Sequence, residues 1–451
     1  MTRALRILEF NLKEKDGTPT TFNQSEFMMK HTPLFHCGMA IVVSLLALSA
    51  KSTGMALSAV AVTQAAFAAK NTPPSVPIEL IQTTSTTETE AEQPPSQISQ
   101  DLAKTTPSEL DQVDTILFEK LSRLYTLFRT DADKIWDDSF RLDQDIIYLV
   151  RKDAENDLYG YVINHPNPEA IAGVSRLTLS DNLALPPIYR VDQLNKAKLT
   201  QNPHFDFEYP LADESVMMMK YTTPDVDSFA SPTSEDWDLF LAHEVFHRYQ
   251  FRNWQENDND QDLNNYNFSA DALALMLLEQ HILQAGVNAV DSAARTVALR
   301  QFAAVRDFRI ETYGRQIVTL DNEQERSEGT ALYIEHQIQA LLNRPLIDLT
   351  EELTPSFDDY VEFDMREYFG FGRFYGTGLA VCRILDLQGI AWKNDVINGK
   401  TPYDVAINHY DIRDRSALLE AAKAAYNYPE LWTQATRYAE AVPTEPWSLP
   451  Y

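Results

Sequence analysis

The residues best suited to chemistry are His243-Glu244-Val245-Phe246-His247, inside the stretch WDLFLAHEVFHRYQ from Trp237 to Gln250. On a helix, histidines four residues apart project from one face, about one turn from each other. Two neutral imidazole nitrogens so placed can share one Zn²⁺, and Glu244 beside them can take a proton from water held by the metal. Trp237, Phe240, Leu241, Val245, Phe246 and Tyr249 recur at helical spacing and spread round most of the circumference, which predicts a buried helix. A buried His-Glu-His triplet needs partners or a metal. The plainer alternative is a pair of packed, capped histidines. Ser234, followed by Glu235 and Asp236, supplies an N-cap and an acidic first turn.

Two histidines do not complete a catalytic zinc site; a third protein ligand is needed, with one position left for water. A third histidine in the metzincin pattern would fall where this chain has Asn253, so that arrangement is excluded. The candidate is Glu328, in Ser327-Glu328-Gly329-Thr330-Ala331-Leu332-Tyr333-Ile334-Glu335, with Glu325 and Glu335 as fallbacks. Glu335 also lies two turns beyond Glu328 on the same face, where it can orient a histidine instead. Asp271 and Glu279 are open to the same role, or to simple local pairing.

The segment SEGTALYIE resembles the third-ligand helix of gluzincin metallopeptidases, in particular the NEGFATYFE-type segment of the alanyl aminopeptidase family. In that family the first Glu of the segment binds zinc, and it maps onto Glu328. The stretch Arg373-Phe374-Tyr375-Gly376-Thr377-Gly378-Leu379-Ala380 is similar to the family's YEKGA segment, whose Tyr stabilises the tetrahedral intermediate. The resemblance therefore implies a ligand role for Glu328 and an oxyanion-facing hydroxyl on Tyr375, the alternative for Tyr375 being an ordinary half-buried tyrosine. It covers three short segments between Trp237 and Asp386. The spacer from His247 to Glu328 is much longer than in that family, and no GxMEN-like strand is present. The resemblance is thus to a distant gluzincin relative, and aminopeptidase specificity is not carried over.

The elements that must position these residues can be traced along the chain. Ser108 to Arg129 has helical periodicity behind a Ser cap. Short β-like runs follow (YGYVI, SRLTL and PIYRV between Tyr159 and Val191), continued by Phe205 to Tyr209 and Ser215 to Thr222, and predict a small mixed sheet before the active-site helix. Val216-Met217-Met218-Met219 fits either an edge strand lining a cleft, where a substrate backbone adds as another strand, or a buried core strand. Asn257 to Asn267 reads as a polar surface loop. Helical patterns then run over Phe268 to Ala285, Val290 to Leu320, Asn322 to Asn343 and, with Pro and Gly breaks, Phe357 to Tyr438. The expected fold is α+β and mostly helical, a zincin-like catalytic domain with the sheet preceding the active-site helix. Gly370, Gly372 and Gly376 lack nucleotide-fingerprint spacing, and no Ser or Cys nucleophile has an elbow or triad context.

Residues 34–50 form an apolar run preceded by Lys30 and His31, and Ala66-Phe67-Ala68 fits a signal-cleavage site. Residues 1–69 are therefore read as leader and signal peptide, or alternatively as a membrane anchor. Residues 70–107, rich in Thr, Ser, Pro, Glu and Gln, read as a disordered linker. Residues 108–232 form the sheet-bearing part of the catalytic region, and 233–451 its helical part. Cleavage would leave Cys382 as a lone core thiol. The chain of 451 residues carries a net charge of −28, which argues against nucleic acid and anionic membranes as partners.

These readings converge on an exported (periplasmic or secreted) hydrolase with one Zn²⁺ held by His243, His247 and Glu328, with Glu244 and Tyr375 as catalytic groups. Its expected substrate is a peptide or protein. The alternatives are a non-peptide amide or ester hydrolase, and a non-catalytic zinc-stabilised binding protein. The sequence leaves substrate identity, exo- or endo-action and oligomeric state open.

Overall fold

The computed structural model describes residues 110–442, except 154–155, 203, 223–236, 256–265, 355–364 and 411, together with a short ladder of Leu12–Lys13 against Pro19–Thr20. The signal and linker segments, the Ser234 cap and most of the Asn257–Asn267 loop lie outside the described residues.

Helix α1 (Gln112–Thr130) is capped by Asp111, whose side chain accepts from the Asp114 backbone N–H; this displaces the expected Ser cap. Leu117, Phe118, Leu121, Leu124, Tyr125 and Phe128 turn one face into the core. On that face the buried Asp114 carboxylate accepts hydroxyls from Tyr159 (2.8 Å), Tyr161 (2.7 Å) and Tyr221 (2.7 Å), fastening the helix to two strands.

Six strands make one mixed sheet: β1 (Ile147–Lys152), β2 (Asp157–Ile163), β3 (Val174–Arg176), β4 (Ile188–Val191), β5 (Phe205–Leu211) and β6 (Glu214–Tyr221), in the order β3-β4-β2-β1-β6-β5. Only the β1–β6 pair is parallel, with Ile147 opposite Met217. Strand β1 was not expected. Its Ile147 and Leu149 face the main core while Tyr148 and Val150 face a second cluster behind the sheet, so both faces are apolar and the alternation that marks a half-buried strand is missing. The Val216–Met219 run resolves to the core alternative: β6 lies between β1 and β5, and Met217, Met218 and Met219 are buried. The edge strands are β3 and, beyond β6, β5. The register of β5 against β6 shifts between Asp206 and Tyr209.

Helix α2 (Trp237–Asn253) carries the HExxH triplet and is buried from Leu241 to Gln250. Arg248 ties it to the sheet through Asp145 (2.5 Å) and the Ser215 carbonyl (2.5 Å), and Arg344 holds its other end at Asp238 (2.6 Å). Next come α3 (Ala270–Asn288), α4 (Ser292–Tyr313) and α5 (Arg315–Gln324). The single pattern expected over 290–320 is broken at Gly314, whose φ of 95° ends α4 and opens α5.

A π-helical turn, Glu325–Gly329, then leads into α6 (Thr330–Leu341). A second π-helical turn, Tyr368–Gly372, leads into α7 (Arg373–Leu387), followed by α8 (Pro402–His409), α9 (Arg415–Ala425) and α10 (Tyr428–Ala441). The sheet and these helices share one core, with Cys382 buried in it. The architecture is α+β, mostly helical with a small mixed sheet. Among the described residues, no helix is long and apolar enough to cross a membrane.

Candidate metal centre

Helix α2, the first π-turn and α7 converge on one buried point. His243, His247 and Glu328 are each buried, and one potential ligand atom from each lies within 4.8 Å of the others. Glu328 Oε2 is 3.2 Å from His247 Nε2 and 3.6 Å from His243 Nε2.

The far side of each imidazole fixes its proton. His247 Nδ1 lies 2.8 Å from Gln250 Oε1. The Gln250 amide is oriented by its nitrogen, which donates to the Ser327 carbonyl (3.0 Å) and Thr330 Oγ1 (2.9 Å), so its oxygen can only accept from the ring. His243 Nδ1 lies 2.6 Å from Glu335 Oε1, likewise an acceptor. With the proton on each Nδ1, both Nε2 atoms present lone pairs toward Glu328.

His247 Nε2 and Glu328 Oε2 approach to 3.2 Å, and both atoms are buried with no well-aligned hydrogen-bond partner among the described residues. Buried electron-rich atoms at that distance repel unless a proton or a metal cation stands between them. Ligands of a tetrahedral zinc with arms of about 2.0–2.1 Å are separated by about 3.3 Å, and the Glu328–histidine separations bracket that value. Two imidazoles and a carboxylate are also a donor set that zinc accepts.

The electrostatics run the same way. Burial pushes the Glu328 carboxyl up, but the two histidines outweigh it and hold it at about 2. Burial lowers the His243 and His247 pKa values, yet the surrounding carboxylates raise both above the ordinary range, so the site draws positive charge to the imidazoles. Glu244 is fully buried and neither of its oxygens has a hydrogen-bond partner among the described residues. Burial raises its carboxyl to about 7, with the histidines opposing and Glu328 and Glu335 adding to the rise.

Tyr375 stands at the same centre, its ring stacked on His243 at 5.9 Å and its hydroxyl hydrogen-bonded to Glu328. Burial and the nearby carboxylates push its pKa well above the ordinary value, so it stays a donor.

The fallback and orienting candidates fall elsewhere. Glu325 points away from the histidines and is ion-paired with Arg306 at 2.9 Å. Glu279 is locally paired with Arg306 and Arg309, and Asp271 accepts from Trp432, so neither orients a histidine. Glu335 alone does so. Gln250 was missed, although its place three residues after His247 puts it on the same helical face. Bulged β5 brings the Phe207 ring to 6.3 Å from His247.

No family model, curated protein or solved structure matches this chain.

Proposed function

We propose that this chain is a zinc-dependent hydrolase, a metallopeptidase of gluzincin type. One observation carries the reading: two imidazole Nε2 atoms, their rings oriented by Gln250 and Glu335, converge with the Glu328 carboxylate on a buried centre where His247 Nε2 and Glu328 Oε2 have no hydrogen-bond partner. His243, His247 and Glu328 would hold the ion. Zinc bound there would lower the pKa of a water toward neutrality and polarise a scissile carbonyl.

The protein's own groups supply the rest. Glu244 follows His243 on α2, and its carboxyl near 7 is matched to taking up a proton and returning it to a leaving group at neutral pH. The Tyr375 hydroxyl, held protonated, is a donor for a developing oxyanion. The edge strand β5, beside α2, has no neighbour on its outer side among the described residues, and an extended peptide can add there as a further strand. The zincin-like likeness of the fold and the exported location belong to this same proposal.

The test is metal analysis of the purified protein, followed by a peptide-library digest with wild type and Glu244→Gln. One tightly held zinc, with cleavage by wild type alone, is expected. Absence of zinc, or identical behaviour of the two proteins on every substrate, would sink the reading.

A further inference from the structure

Between His247 and Glu328 the chain places two long helices, α3 and α4, whose buried faces carry charge. Glu279 of α3, Arg306 and Arg309 of α4, Asp321 of α5, Glu325 of the π-turn and Arg373 of α7 are all essentially inaccessible. They form one network of three carboxylates and three guanidiniums, with Arg309 on Glu279 (2.9 Å) and Asp321 (2.7 Å), and Arg373 on Asp321. Its centre is Arg306, whose five N–H donors are all engaged: two with Glu279 (2.9 Å each), two with Glu325 (2.9 and 3.1 Å) and one with Asn322 (2.5 Å).

From the other side, Thr377 Oγ1 donates to Glu325 Oε1 at 2.7 Å. Backbone contact closes the arrangement. A Cβ on Gly329 would lie 2.4 Å from Gly378 Cα, and one on Gly378 would lie 2.6 Å from the Glu325 carbonyl oxygen.

We propose that Arg306 and Thr377 are positioning residues for the metal ligand Glu328, acting by clamping Glu325 and so holding Glu325–Gly329 in its π-helical form. This rests on reading the buried centre as a metal site. Glu325 and Glu328 share one turn, so a two-pronged guanidinium grip on the first fixes where the second emerges. A π-turn is strained relative to the α-helix on either side. Losing its extra residue would rotate Glu328 by about 100° relative to α6 and carry it off the histidines. Buried ion networks contribute little net stability but are well suited to fixing register. Helix α4 thereby acquires a role at the centre through Arg306.

The experiment uses the full-length protein with Thr377→Val, which keeps the volume, and Glu325→Gln, which keeps acceptor capacity but not charge. Tyr403→Phe serves as control, because it deletes a buried hydroxyl bonded to Asp307 on the same helix α4 without touching the turn. Zinc affinity is read in chelator-buffered titrations, ligand geometry from the visible spectrum of the cobalt-loaded protein, and folding from thermal melts.

Thr377→Val and Glu325→Gln are expected to bind zinc roughly 10-fold more weakly or worse, with a shifted cobalt spectrum and a retained cooperative melt. Tyr403→Phe is expected to bind zinc like wild type. Wild-type affinity and spectrum in both variants would overturn the proposal, as would an equal loss in Tyr403→Phe. If Glu325→Gln does not fold, Thr377→Val decides alone. A wild type without zinc overturns the metal-centre reading and this proposal together, whereas zinc-loaded wild type with unaltered variants overturns only the proposal.

Discussion

His247 donates its Nδ1 proton to the Gln250 side-chain oxygen 2.8 Å away, and the same amide reaches across to the Ser327 carbonyl beside Glu328. One neutral side chain thus sets the tautomer of one proposed ligand and grips the segment that bears another. A carboxylate in its place could accept from the ring but could not donate to Ser327 and Thr330.

Gln250→Leu removes that bridge with little change of volume. Zinc affinity should fall about 10- to 100-fold. The buried His247 N–H would be left unpaired, at a stability cost of about 1–3 kcal/mol. Chelator competition and denaturant melts measure the two effects separately. Unchanged affinity would remove Gln250 from any role at the centre.

The choice of third ligand is open to a direct comparison. Glu328→Gln should lower the zinc content of purified protein well below one equivalent, because a neutral amide cannot replace the carboxylate among the ligands. Glu335→Gln should keep the metal but loosen it, since an amide oxygen still accepts from His243 Nδ1. Elemental analysis of both proteins, purified side by side, tests the ranking.

Tyr375→Phe keeps the ring on His243 and deletes the hydroxyl. With a peptide substrate in hand, kcat should drop on the order of 100- to 1,000-fold while zinc content stays at the wild-type level. A variant with wild-type kcat would leave Tyr375 as packing.

In the metal-free protein Glu244 makes stability depend on pH in a defined direction. Its carboxyl is raised from 4.5 to about 7 by burial, with the histidines opposing. The folded state therefore binds this proton more tightly than the unfolded state, so stability from Glu244 is complete below pH 4.5 and is lost as pH rises through about 7. Glu244→Gln removes this contribution, leaving those of His243, His247 and Glu328. Metal-free Glu244→Gln should be more stable than metal-free wild type above pH 7 by about 3 kcal/mol, with the difference vanishing at acid pH. Urea melts at several pH values give the comparison, and a constant difference across pH would refute it.

Much of this was legible along the chain because it rests on local spacing. The HExxH helix shows in the 3.6-residue recurrence of Trp237, Leu241 and Val245, and Glu335 shows as a partner on the Glu328 face. Strand β1 was hidden because its two faces are equally apolar, which erases the period of two. The sequence leaves Val216–Met219 open between an edge and a core strand because order within a sheet is set by long-range pairing, not by composition.

By itself the sequence determined the chemical inventory: two histidines one helical turn apart, a carboxylate between them, and acidic residues and a tyrosine downstream in a recognisable order. The tertiary structure decided which of these meet. Glu325 and Glu328 are three residues apart, and nothing in their types separates a ligand from a structural ion pair. The separation comes from Arg306 and Thr377, 19 and 52 residues away from Glu325, and from a π-turn that breaks helical periodicity. The same holds for the HExxH stretch, where the tautomer of His247 is set by an amide whose own orientation depends on carbonyl and hydroxyl groups 77 and 80 residues on. Spacing places side chains on a face; only packing from distant segments fixes which atom points at which, because each buried polar group must find its partner somewhere in the folded chain.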